Sequence, residues 1–239
     1  MDDLILGGYQ GLPYLASGAQ HGWHSPVPLT DRYHHLMHAG QYWNPHTRRH
    51  EGVDGGFEAR AIAALPLDWD SDGDFDLVVG TYQGDLLLRR NEGSAKKYQF
   101  SPEAERIEVA PGVAAHVPSG YAMPIAVDWD QDGRTDLLSG SKDGAAYWFQ
   151  NRGPAWSLSP PVQVLSAASQ GSPGPASHSQ VATGDLDGDG RFELLVGDRS
   201  VANRQSHGTI WWYRIRQKSK VRLNTRPDAI TASKFGSHR

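Results

Sequence analysis

Short hydrophobic runs alternate with acidic, glycine-containing turns along most of the chain. The runs Ala61 to Leu67, Met123 to Val127 and Gln180 to Thr183 each lead into an aspartate-rich turn, and a second aliphatic run follows that turn. Such short runs between turn residues are typical of strands rather than of helices. A third apolar run follows a tighter turn, for which Asp143-Gly144 is the clearest hairpin signal. The pattern predicts an all-β fold built from repeated antiparallel units.

The acidic turns share one template, D-x-D-x-D-G-x-x-[DE]-L-[LV]-x-G. It occurs as DWDSDGDFDLVVG from Asp68, as DWDQDGRTDLLSG from Asp128 and as DLDGDGRFELLVG from Asp185. A truncated copy, which has only the tail of the template, lies at Asp3 to Gly7. Self-similarity at a regular spacing of this length is typical of propellers and solenoids. With four strands in each unit, the sequence predicts a β-propeller with about four blades present.

The repeats also divide the chain into predicted segments. We expect a partial blade over 1–15, a histidine-rich insert over 16–59, and blades over about 60–118, 119–176 and 177–215. The basic tail, 216–239, is expected to be disordered or to belong to an incomplete blade. Two arrangements stay open. In one, the propeller is incomplete and its open edges need missing blades or a partner chain. In the other, the tail completes a four-bladed ring.

The alternating carboxylates have the spacing of a calcium-binding loop. Positions 1, 3, 5 and 9 of the template direct oxygen ligands inward, and the glycine at position 6 permits a sharp turn. Several anionic oxygen ligands suit calcium better than magnesium, which keeps more of its water. An EF-hand would need a glutamate at position 12 and an exiting helix, but that position holds Val79, Ser139 and Val196. The plainer alternative, a solvated acidic turn, weakens as the pattern recurs.

The template resembles the FG-GAP/VCBS repeat, a family that includes integrin α-subunit propellers and many secreted bacterial proteins. The resemblance implies a calcium-binding β-propeller that is extracellular, on the cell surface or periplasmic. It implies three sets of Ca²⁺ ligands, which are Asp68, Asp70, Asp72 and Asp76; Asp128, Asp130, Asp132 and Asp136; and Asp185, Asp187, Asp189 and Glu193. It leaves the activity open, because the family includes adhesins, carbohydrate binders and polysaccharide lyases.

The segment between Leu15 and Arg60 interrupts the repeats and holds seven histidines, His21, His24, His34, His35, His38, His46 and His50. It has three interpretations. The first is a polar surface loop. The second is a site for an acidic sugar, with aromatic rings against the sugar and arginine on its carboxylate; here a polysaccharide lyase could act by β-elimination, with the catalytic candidates His34, His35, Arg32 and Tyr33. The third is a transition-metal site, in which His34 and His38 meet on one helical turn.

Composition excludes several kinds of site and location. The chain has 239 residues, a formal net charge of -4 and no cysteine, so neither a disulfide framework nor a thiolate metal site is expected. No apolar run approaches the roughly 18 residues of a membrane span, and the start MDDLILGGYQ does not resemble a signal peptide. No nucleic-acid partner is expected. The favoured function is binding of an extracellular glycan or protein, and the alternative is the lyase.

Overall fold

The structure, a computed structural model, describes residues 3–8, 10–52, 59–153, 156–169, 174–188, 192–202 and 205–214. These residues form strands, turns and irregular segments, with no helix among them. The all-β prediction is therefore confirmed for this part of the chain. Across the same ranges, no helix has the length and apolar character to cross a membrane. The predicted tail, 216–239, lies outside the described residues.

The N-terminal part of the chain forms one three-stranded sheet and two short hairpins. Its strands are β1 (Leu4–Leu6), β2 (Tyr14–Ala16), β3 (Gly18–Ala19), β4 (Gly22–Trp23), β5 (Val27–Pro28), β6 (Tyr42–Asn44) and β7 (Arg49–Glu51). The sheet has the order β1-β2-β5, while β3 pairs with β4 and β6 with β7. Because β5 lies within residues 16–59, the histidine-rich segment contributes one strand to the first sheet.

The second sheet contains the first acidic turn. The strands in this region are β8 (Ala61–Leu67), β9 (Asp76–Thr81), β10 (Leu86–Arg89), β11 (Glu105–Arg106), β12 (Glu108–Ala110) and β13 (Val113–Ala114). The sheet has the order β11-β10-β9-β8 with antiparallel neighbours, and β12 pairs with β13 separately. The acidic turn from Asp68 joins β8 to β9, so it connects two neighbouring strands of one sheet.

The third and fourth sheets repeat this arrangement. The third consists of β14 (Met123–Val127), β15 (Asp136–Gly140), β16 (Ala146–Phe149) and β17 (Val162–Leu165), and the fourth of β18 (Gln180–Gly184), β19 (Glu193–Ala202) and β20 (Gln205–Arg214). Each sheet follows chain order from first strand to last. The fourth has three strands among the described residues, and its β19–β20 hairpin is longer than those of the other sheets.

The second strands of the second and third sheets direct alternate side chains into the cores on either side, so the sheets stack face to face. In β9, Val78 packs into a cluster with the third sheet, whereas Leu77 and Val79 pack into a cluster with the first. In β15, Leu137 joins the cluster with the second sheet and Leu138 the cluster with the fourth. Successive side chains of a strand point to opposite faces, so one strand serves two cores. Stacking in chain order is what a propeller-type arrangement requires.

The last glycine of the template allows the close approach of neighbouring sheets. A Cβ on Gly80 would lie 2.2 Å from the carbonyl oxygen of Ala122, and one on Gly140 would lie 2.0 Å from that of Ser179. These oxygens belong to backbone just before β14 and β18, so they have little freedom to move. Any side chain at either glycine would therefore push two sheets apart.

Candidate metal centres

Left-handed backbone conformations curl each acidic turn. Ser71 and Gln131, at template position 4, have φ of 65° and 59°, and Gly188 in the third turn has φ of 76°. Gly73 at position 6 has φ of 92°, although a Cβ there would meet nothing within 4 Å. Backbone conformation, rather than lack of space, therefore accounts for glycine at this position.

The curled backbone brings carboxylates together in all three turns. In each turn, oxygens from three side chains lie within 4.8 Å of one another; the groups are Asp68, Asp70 and Asp72; Asp128, Asp130 and Asp136; and Asp185, Asp187 and Glu193. Most of the predicted ligands thus converge. Asp76 and Asp132 lie in the same turns but outside these groups, and Asp189 lies outside the described residues.

The position-9 carboxylate is buried beneath each turn. Asp136 is 0% exposed and accepts three hydrogen bonds, from the backbone N–H of Trp129 (3.2 Å) and of Asn151 (2.7 Å) and from Nε1 of Trp148 (2.9 Å). Burial raises the pKa of Asp136, because desolvation disfavours the charged form. This side chain fastens the turn to the third strand of its own sheet.

The other two turns use position 9 in a related way. Asp76 accepts hydrogen bonds from the backbone N–H of Trp69 at 3.2 Å and of Asn91 at 2.6 Å, and burial likewise raises its pKa. Glu193, which is 1% exposed, accepts one from Leu186 N at 2.8 Å. The longer glutamate therefore reaches the same backbone position as the aspartates do. Position 9 has an architectural role in each unit.

Some ligand oxygens are satisfied by the turn itself and others are not. Asp128 accepts hydrogen bonds from the N–H groups of Asp132 (3.0 Å) and Gly133 (2.9 Å). Oδ1 of Asp68 and Oδ1 of Asp130, by contrast, are buried with no hydrogen-bond partner among the described residues. A buried, unpaired carboxylate oxygen is costly. A cation bound in each of the two centres would satisfy the unpaired oxygen there, so the donor sets fit a hard metal ion.

Position 7 distinguishes the first centre from the second. In the first turn this position holds Asp74, whose side chain is 7% exposed and whose Oδ1 is buried with no hydrogen-bond partner among the described residues. Burial and the neighbouring Asp72 raise the pKa of Asp74. In the second turn, Arg134 stands here, pairs with Asp132 and donates to the carbonyl of Asn151 at 2.8 Å. The first centre is therefore the more acidic one.

Besides the position-9 hydrogen bonds, all three units share a contact that the sequence did not predict. A side chain from the end of the third strand donates a hydrogen bond to the position-3 aspartate; the pairs are Arg90 to Asp70 (3.1 Å), Gln150 to Asp130 (2.7 Å) and Arg214 to Asp187 (2.6 Å). The position-3 aspartate therefore bonds to a cation in the first and third centres and to a neutral amide in the second. The alignment of the three units after their third strands was the signal that could have identified these residues.

The catalytic candidates of the insert lie on an exposed turn. The Asp31 carboxylate accepts hydrogen bonds from the N–H groups of Tyr33 (2.8 Å) and His35 (2.9 Å), and Arg32 pairs with Glu92. His34 is exposed with φ of 65°. The candidates are close in sequence and in space, but the arginine already has an acidic partner. Their catalytic role stays a prediction.

The transition-metal interpretation required a helical turn, which the described residues of this segment do not form. Thr30 and Leu36 form a β-bridge, and capping by Asp31 favours a tight turn over a helix. His38 instead stacks on Tyr42, with ring centroids 4.4 Å apart, and burial lowers its pKa. His34 and His38 therefore do not meet on one helical turn.

Together, the stacked sheets and their acidic turns define an all-β repeat module with candidate cation sites. Residues 128–196 match the family model of the FG-GAP-like repeat. The matched region contains the second and third acidic turns with strands β15 to β18 between them, so the resemblance is confirmed there. Comparison of the chain with curated proteins and with solved structures gives no match.

Proposed function

We propose that this chain is a calcium-stabilised, β-propeller-type module that binds an extracellular glycan or protein. The observation that carries the calcium part is the convergence of three carboxylates in each acidic turn. The buried, unpaired oxygens of Asp68 and Asp130 support it further. FG-GAP repeats often bind calcium and are typically extracellular, which supports the assigned ion and location.

Charge repulsion explains why the ion would stabilise the fold. Carboxylates this close together repel one another in the absence of a cation. Calcium accepts six to eight oxygen ligands in flexible geometry, which suits side chains that also accept hydrogen bonds from the turn. The turns connect the first two strands of their sheets, so binding of the ion and formation of the sheet are coupled.

Binding is favoured over catalysis at the insert. A lyase needs a cation to neutralise the uronate carboxylate and a base near the α-proton. Arg32 is paired with Glu92, and Tyr33 is 58% exposed, so these contacts do not favour the lyase alternative. A module that recognises a polymer or a protein needs only a positioned surface, which the stacked sheets would provide.

Thermal unfolding of the chelator-stripped protein tests the calcium part. With calcium about tenfold above its Kd, each occupied site contributes about 1.4 kcal/mol. In a chain of this size, that corresponds to roughly 3–6 °C per site. We expect a rise of this order for each centre with calcium and a much smaller one with magnesium. A cooperative transition indifferent to calcium would contradict the assignment.

A matched pair of variants separates bound metal from general charge effects. Asp130→Asn removes a ligand of the second centre, so it should lose one site's share of the calcium-induced rise, about 3–6 °C. Glu108→Gln removes an exposed carboxylate outside the acidic turns and should keep the full rise. Equal responses from the two variants would argue against a metal at Asp130.

The binding part requires its own measurement. The protein can be screened with calcium against immobilised acidic glycans, neutral glycans and extracellular matrix proteins, and again with chelator. We expect at least one ligand class to be retained in calcium. A calcium-stabilised protein that retains no glycan or protein would leave the module with a structural role only.

A further inference from the structure

A pocket lies at the opposite end of the sheets from the acidic turns. It has a volume of about 260 Å³ and lies between the third and fourth sheets, lined by Tyr121, His178, Gln180, Gly197, Asp198 and Arg199. Small-molecule pockets usually start near 300 Å³. This one therefore suits a single ring-sized unit, such as one residue of a polymer that extends beyond it.

The repeat brings equivalent positions to this end. Tyr82, Lys142 and Arg199 each stand two residues after the last glycine of their template. The N–H of Tyr121 donates to the carbonyl of Tyr82 at 2.7 Å, and the N–H of His178 donates to that of Lys142 at 2.9 Å. The backbone framework is thus the same from unit to unit, while the side chains it presents differ.

Aromatic rings and cations alternate across this surface. The rings of Tyr121 and His178 meet edge to face with centroids 4.8 Å apart, and Tyr82 meets Tyr121 in the same way at 6.0 Å. The guanidinium of Arg60 lies 4.7 Å from the Tyr82 ring centroid, and Nζ of Lys142 lies 5.0 Å from it. The surface can therefore offer ring edges and faces together with positive charge.

The local charge balance favours an anionic ligand. Arg199 and Lys142 both lie near enough to His178 to lower its pKa, in addition to the effect of its burial. Nδ1 of His178 is buried with no hydrogen-bond partner among the described residues. The acidic residue of the pocket, Asp198, already accepts hydrogen bonds from the N–H groups of Ala176 (2.8 Å) and Thr209 (3.0 Å). Both oxygens of its carboxylate are therefore already hydrogen-bonded to the backbone.

We propose that this pocket binds a uronate, a sugar unit that carries a carboxylate. Arg199, which lines the pocket, would bond to the carboxylate, and Lys142, which lies beside His178 at the pocket's edge, would add positive charge, since charge-assisted hydrogen bonds to carboxylate are strong. Tyr121 packs against the sugar ring, and His178 donates or accepts a hydrogen bond at a hydroxyl. The inference rests on the proposed binding function and assigns it a ligand class and a place, away from both the metal centres and the histidine-rich insert.

Calorimetric titration at fixed free calcium tests this assignment with three probes, which are digalacturonate, the matched neutral disaccharide and inorganic phosphate. We expect digalacturonate to bind and the neutral sugar to bind at least tenfold more weakly. Arg199→Gln and Lys142→Met should each weaken uronate binding about tenfold, the effect of losing one charged hydrogen bond. Both residues are exposed, so thermal unfolding should confirm that the variants fold.

The matched controls are Arg106→Gln and Lys97→Met, exposed cations outside the pocket, which should leave uronate affinity unchanged. Phosphate that binds as tightly as digalacturonate would overturn the sugar assignment in favour of a general anion site. Absence of uronate binding, or binding indifferent to both Arg199→Gln and Lys142→Met, would overturn the inference. None of these results changes the calcium-induced rise in melting temperature or the retention of another ligand in the screen, so the proposed function is tested separately.

Discussion

The two ends of the stacked sheets use one repeated backbone in opposite ways. At the acidic end, positions 1, 3 and 9 carry a carboxylate in every whole unit. At the other end, the equivalent positions carry Tyr82, Lys142 and Arg199. A requirement common to all sheets, such as closing the first hairpin around a cation, keeps the same chemistry in each unit. The proposed recognition of one ligand would need different groups around it, which would account for the variety at the opposite end.

The comparison also separates two roles within the acidic end. The position-9 carboxylate is buried and satisfied by N–H donors of its own sheet, as Asp136 shows. The position-3 carboxylate Asp130 has one oxygen bonded by Gln150, and its other oxygen is buried with no partner among the described residues. Position 9 is therefore satisfied by the protein itself, whereas position 3 would gain its missing partner from the proposed ion.

The largest effect is expected at Asp136. Asp136→Ala leaves three buried N–H donors without their acceptor, at about 1–3 kcal/mol each. We expect the free energy of unfolding to fall by about 3–9 kcal/mol in chelator as well as in calcium, measured by urea denaturation. If Asp136→Ala does not fold, Asp136→Asn, which keeps one oxygen, should show a smaller loss in both conditions. A loss confined to calcium would mean that position 9 serves the metal alone.

Local and periodic features of the fold could be predicted from the sequence. The strands Ala61–Leu67 and Met123–Val127 lie where the hydrophobic runs predicted them, and the converging aspartates follow from their alternate spacing. The glycine ending each template was part of the pattern, but its reason appears only in the structure. Gly80 and Gly140 face the backbone of the next sheet.

Contacts between distant segments could not be predicted. Arg90 reaches Asp70 only because β10 pairs with β9 in one register. The sequence of neither strand alone specifies that register. Tyr82 and Tyr121 meet because the second and third sheets stack. Of the three interpretations of the insert, only the one that needed a helical turn is contradicted, because the Asp31 carboxylate caps a tighter turn there.

A smaller effect is expected from the titration of His178. Burial, Arg199 and Lys142 lower its pKa in the folded state, while the pocket's own carboxylate, Asp198, is bonded to backbone. A lowered pKa favours the neutral form, so this group stabilises the fold above the unfolded pKa of about 6.5. That stability is lost as pH falls from about 6.5 through the folded pKa.

His178→Gln should therefore flatten the decline in the free energy of unfolding between pH 7.5 and 5, measured by denaturant unfolding. Its effect should be well below that of Asp136→Ala. His21→Gln, at an exposed histidine outside the pocket, should keep the decline of the original protein. The same decline in both variants would show that the cations around His178 do not control its titration, and would weaken the contrast between the two ends.

The smallest effect concerns the residue that bonds to the position-3 aspartate. Arg90 is a cation that bonds to Asp70 of the first centre, whereas Gln150 is a neutral amide that bonds to Asp130 of the second. The second centre has its own cation, Arg134, on the position-5 aspartate. A neighbouring positive charge opposes a calcium ion, but Arg90 and Asp70 are 36% and 43% exposed, so solvent screens the effect.

We expect Arg90→Gln to tighten calcium binding at the first centre about two- to fivefold at low salt. Gln150→Arg should weaken binding at the second centre to a similar extent. Calorimetric calcium titrations at low and high salt would measure both, and high salt should reduce each difference. Unchanged titrations in both variants would mean that this recurring contact only positions the aspartate. The charge of the residue that donates the hydrogen bond would then be irrelevant to calcium binding at the acidic end.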